Sequence, residues 1–162
     1  MPFMYSASSQ QNTNATANTD TLLADLKTAA AQAGLRAYIQ KLQVGSYVTP
    51  ADNALRIRLQ RLATVGTYAS GASLTPSPVV ADAPAAASLS STLPTLGTGT
   101  FNAVPLVQLA FNQRGTGLWA AFTADEAVGI SGSNAAVGGI AVLNSQSTGT
   151  SVPVNYKIIF SE

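Results

Sequence analysis

The chain has 162 residues, no cysteine, no histidine and 9% charged residues, for a net charge of +1 at neutral pH. That length builds one domain with a sizeable core, and the missing residue types exclude disulfides, thiolate ligands, and the commonest proton shuttle and metal ligand at neutral pH. So small a net charge offers no broad attraction to nucleic acid or to acidic lipid.

An average soluble domain is roughly 25% charged. Here Ala83 to Gln113 and Ala127 to Tyr156 carry no charge at all. Ser, Thr, Asn, Gln, Gly and Pro interrupt every apolar run well short of the ~18 residues of a membrane span. The opening "MPFMYSASSQ" has neither a basic leader nor a long apolar run, so no secretory signal is read there. A surface this poor in charge is wetted by neutral polar groups or covered by a partner, which suits a component of a fixed assembly.

Residues 1–21 are read first as a flexible polar N-terminal arm, because "SASSQQNTNATANT" holds too little apolar surface to fold alone. Residues 22–162 are then one β-sandwich or jelly-roll domain. In "DTLLADLKTAAAQAG", Leu22, Leu23, Leu26, Ala30 and Ala33 stand near helical spacing, with Asp20 or Thr21 as cap and Gly34 as stop. One short helix is expected there, although its leucine-rich half fits an extended strand equally well.

From Leu35 the period becomes two. In "ALRIRLQRL", Leu55, Ile57 and Leu59 face one way and Arg56, Arg58 and Gln60 the other. "RAYIQKLQV", "VQLAF", "LWAAF" and "GGIAVL" are further strand candidates, separated by Gly, Pro, Asn and Ser clusters. Residues about 71–100, with Pro76, Pro78, Pro84 and Pro94, are read as a long Pro/Ala/Ser-rich surface loop. "LAFNQRGTGLWAAF" is read as a hairpin in which Val107, Leu109 and Phe111 pair back with Leu118, Ala120 and Phe122. The closing "VPVNYKIIF" puts Val152, Val154, Tyr156, Ile158 and Phe160 on one face, with Pro153 at a strand start or edge. Many short strands with punctuating turns make the chain all-β.

The chemistry of catalysis is thin. Without histidine a serine nucleophile would need a lysine or carboxylate base, and Lys27, Lys41 and Lys157 stand in no Ser-x-x-Lys pattern. Asp125 and Glu126 in "TADEAVG" are adjacent, so they face apart in a strand or are solvated in a turn. Five Asp and two Glu are scattered without calcium-loop spacing. Gly115 and Gly117, or Gly129 and Gly132, lack the following helix that a phosphate cradle needs. No catalytic residue, cofactor or metal is expected.

Interface candidates are clearer. Arg114 at a turn and Trp119 just beyond are residue types that anchor partners, or else a solvated turn and a core cap. Six of the eight basic residues lie between Lys27 and Arg61. Arg56 and Arg58 share one strand face with Arg61 just beyond, either docking on an acidic protein surface or simply facing solvent. Aromatics do not interleave with these arginines as a nucleic-acid platform requires.

The ordered series "RAYIQKLQVGS", "TPADNALRIRLQRLATVGT", "TPSPV", "LVQLAFNQRGTGLWAAF" and a closing strand ending in "FSE" resembles a family of small tailed-bacteriophage virion proteins. These are β-sandwiches encoded among head genes, and the resemblance runs from Arg36 to Glu162. Asn112, Gln113 and Arg114 followed by Trp119 and "GGIAVL" match its Asn-Gln-Arg segment and the strands after it. The resemblance implies a capsid decoration or cement protein on the outer surface of the head. Its implied partners are the major capsid protein and its own copies, as a homotrimer, with Arg56, Arg58, Arg61, Arg114 and Trp119 as candidate capsid or subunit interface. The family supplies no catalytic residue. A receptor- or glycan-binding tail fibre or spike module that uses Trp119 as a sugar platform is the alternative.

Overall fold

The computed structural model describes residues 2–13, 15–28, 36–47, 51–63, 72–86, 88–92, 100–131 and 139–162. Their strands are β1 (Met4–Asn12), β2 (Thr21–Thr28), β3 (Arg36–Ser46), β4 (Ala54–Arg61), β5 (Ala72–Leu74), β6 (Ser77–Pro78), β7 (Ser88–Thr92), β8 (Val107–Asn112), β9 (Thr116–Ala120), β10 (Val128–Ser131), β11 (Ile140–Gln146) and β12 (Pro153–Ser161). Two six-stranded antiparallel sheets result. Sheet I runs β10-β3-β12-β1-β6 with β9 also on β3, and sheet II runs β5-β7-β2-β11-β4-β8. The chain is an all-β sandwich.

Alternation builds the core. Tyr5, Ile39, Leu42, Ile158 and Phe160 of sheet I meet Leu26, Leu55, Ile57, Leu59 and Val142 of sheet II in one buried cluster. Each such side chain contributes about 1.5–3 kcal/mol on leaving water. The Tyr5 and Phe160 rings stack at 5.6 Å across neighbouring strands. Pro153 opens β12, where it ends a ladder without interrupting one.

Four sequence expectations change. The expected flexible arm, residues 1–21, contains β1, paired residue for residue with β12 from Met4↔Ser161 to Asn12↔Pro153. Its serines are small and neutral, so the ladder bonds and the inward Tyr5 and Ala7 are enough to hold it. The expected helix starting at Leu22 is strand β2, with Ala30, Ala33 and Gly34 outside the described residues.

A register shift opposite Val142/Leu143 turns Leu22 to the outer face of sheet II, while Leu23, Ala24 and Leu26 face the core. With both faces apolar, the period of two vanishes from the sequence.

The expected 71–100 loop contributes β5, β6 and β7. Pro78 sits in the edge strand β6, where its missing N–H matters little. Last, β8 and β9 are no paired hairpin: β8 pairs with β4 in sheet II and β9 with β3 in sheet I. The turn between them crosses from one sheet to the other. Gly117 is the contact point, since a Cβ there would lie 2.3 Å from the Phe111 ring.

Candidate functional site

The outer faces of the two sheets differ. On sheet II, Leu22, Leu62, Ala141 and Leu143 form a second buried cluster with Phe101 against it. All seven residues of β11 are buried. Beside that cluster, Asp20 accepts both arginines of β4's outward face: Arg56 Nη2 lies 3.8 Å from Oδ1, and Arg58 pairs with Oδ2. Arg56 Nε also donates to Ser145 Oγ at 3.0 Å. The Arg58 side chain is only 15% exposed, so this is an internal clamp. Arg61 lies at the end of β4 with the opposite strand parity, and its backbone carbonyl accepts from Asn102 N at 2.9 Å.

Arg114 and Trp119 part company too. Arg114 is exposed on the turn, with its N–H donating to Asn112 Oδ1 at 2.9 Å. Trp119 is half-buried against the main core and lies opposite Leu42. Its ring therefore caps the core and gives no free sugar platform. The five residues singled out in the sequence lie in separate places, and only Arg56 and Arg58 act together.

Sheet I keeps its outer face open. Register alone lays it out in three rows across β1, β12, β3 and β9: Gln10–Asn155–Gly45–Thr116, then Ser8–Lys157–Gln43–Leu118, then Ser6–Ile159–Lys41–Ala120. Side chains within a row stand about 5 Å apart. Where Gly45 lacks a side chain, a shallow trough of about 560 Å³ opens among amides, hydroxyls and Lys157. No carboxylate lines it, and Ser8 stands opposite Lys157 across β1 and β12. Among the described residues no cluster of three or more His, Cys, Asp or Glu could hold a metal.

The edge of sheet I carries the feature that sequence reasoning missed. At Gln40 the β3–β12 register shifts, and β9 gives way to β10 along the same edge. Gln40 O accepts from Ala121 N at 2.8 Å, and Gln40 Nε2 donates to Ser161 Oγ at 3.0 Å. The connecting segment turns through a 3-10 helix, Ala124–Glu126. Glu126 Oε2 accepts from Phe122 N at 2.8 Å, which fixes the turn while the Phe122 side chain stands 92% exposed. Asp125 and Glu126 are exposed beside it. The hairpin reading had Leu118, Ala120 and Phe122 pairing back with β8, but β9 lies on β3 with Gly117 and Trp119 facing in and Leu118 54% exposed. The only sequence signal was the glycine at 117, which admits the Phe111 ring and so sets the phase.

The buried Tyr5 is shifted in its titration. Burial raises the Tyr5 phenol above its ordinary value, and the Glu162 carboxylate pushes the same way. Its hydroxyl donates to Pro84 O at 3.1 Å. It belongs to the core rather than to any site.

No protein-family model and no curated protein matches the chain. Among solved structures it is similar to one described as the crystal structure of the 60-mer BFDV capsid protein, at 8% identity and a TM-score of 0.23, over 99% of this chain and 91% of that one. A likeness of that size assigns no family.

Proposed function

We propose that this chain is a non-enzymatic structural protein of a virion, a decoration or cement protein that sits on the outer surface of the capsid. The observation that carries the reading is the surface. Among the described residues nine large hydrophobics stand exposed, Phe122 and Val104 the most, on a chain only 9% charged. A weakly charged solute with apolar side chains at its surface has little to keep it apart from its neighbours. The residue-level resemblance to small tailed-bacteriophage head proteins points the same way.

In this reading the sandwich bridges neighbouring capsomers and binds only the assembled shell, so binding stabilises that shell by mass action. Repetition over a symmetric lattice, with a homotrimer as the binding unit, multiplies weak single contacts into avidity. The partners are the major capsid protein and sister copies, with no role for nucleic acid, membrane, metal or cofactor. Co-sedimentation with purified, expanded heads tests the reading: saturable binding supports it, and no binding overturns it.

A further inference from the structure

Two features of sheet I complement each other. The turn after β9 offers an outward Phe122 with the exposed carboxylates of Asp125 and Glu126. The outer face of the same sheet offers Lys157 and Lys41 in adjacent rows, with Ile159 beside Lys41 on β12 and Leu118 and Ala120 on β9 across from them. Neither lysine has an ion-pair partner among the described residues. The turn lies at the sheet's edge and the lysines on its face.

We propose that the Phe122 turn of one copy docks on the outer face of sheet I of a second copy. Phe122 covers the Leu118–Ala120 pair on β9, and Asp125 and Glu126 meet Lys41 and Lys157. Each copy carries both surfaces, so each gives a turn and receives one. Exchanged about a two-fold axis such contacts make a pair, and passed head to tail they close into a ring or continue as a chain. The proposal rests on the reading of this protein as a self-associating capsid component and names the surfaces through which its copies meet. It leaves Val79, Val80, Val104 and Leu106, which are exposed elsewhere, for the shell.

Sedimentation velocity on the full chain tests it with two surface variants. The first, Phe122→Ser with Asp125→Lys, removes the donor. The second, Leu118→Ser with Lys157→Glu, removes the acceptor. The wild type is expected to self-associate as concentration rises, while each variant alone stays monomeric, its association weakened at least about tenfold. Mixed together, the variants restore one intact turn and one intact face, so association should resume and halt at a one-to-one pair. Three results would overturn the proposal: a wild type that stays monomeric, variants that assemble as the wild type does, or a mixture that stays monomeric. Circular dichroism confirms that both variants fold. Head binding is scored separately, so a monomer that still sediments with heads defeats this inference alone, and an assembling chain that ignores heads defeats only the capsid reading.

Discussion

β11 and β12 are both apolar strands flanked by a partner on each side, yet one is buried on both faces and the other on one. β11 reads Ile-Ala-Val-Leu-Asn-Ser-Gln and is buried throughout, because Leu22, Leu62 and Phe101 cover its outer side. β12 alternates, with Val154, Tyr156, Ile158 and Phe160 inside and Asn155 and Lys157 in water. The ladder arithmetic is the same in both sheets. What differs is whether another part of the chain covers the outside, and that decides which face is left for partners. Sheet II has used its outer face on itself, and sheet I has not.

Truncation should separate the two faces most strongly. Leu143→Ala removes a side chain that is 1% exposed on the outer side of sheet II, and is expected to cost roughly 2–5 kcal/mol. Ile159→Ala, on the outer side of sheet I, should cost less than about 1 kcal/mol. Urea unfolding of both variants reads the difference, and equal losses would abolish the contrast between faces.

The corner that joins the sheets comes next. Gly117→Val would place atoms where the Phe111 ring already stands, and overpacking of this kind costs about 1–3 kcal/mol. Adding Phe111→Ala to that variant should recover part of the loss, because the two residues compete for one space. A smaller effect belongs to the clamp on sheet II. Asp20→Ala frees Arg56 and Arg58, one of them largely buried, and should lower stability by about 1 kcal/mol. The loss should shrink in high salt, which a melt at two ionic strengths would detect.

The smallest concerns Tyr5. Its folded-state pKa lies above the unfolded 10.0, so the unfolded chain gives up the proton first. The stability it contributes is whole below the unfolded pKa and drains away as pH rises through the folded value. Ultraviolet titration should reveal a late phenol that Tyr5→Phe removes, and the variant's stability should fall less steeply in alkali.

The sequence was informative where one face of a strand meets water. β4 and β12 show their alternation openly, and Pro153 marks the start of β12. It misled where neighbours supply what composition lacks. β1 is polar enough to pass for an arm until β12 is seen to complete its ladder. β2 is apolar on two faces and so mimics a helix. Single residues show the same dependence. Arg58 looks free until Asp20 is placed beside it, and Phe122 looks like a hairpin partner of β8 until β9 is seen to pair with β3. These facts are tertiary, and no short window of residues contains them.

The sheet-crossing turn from β8 to β9 has a mechanical consequence. β8 is laced to β4 over six residue pairs and β9 to β3 over five, so the two layers share a continuous strap at one side. Pulling one layer along the other loads both sets of rungs in parallel instead of peeling them one at a time.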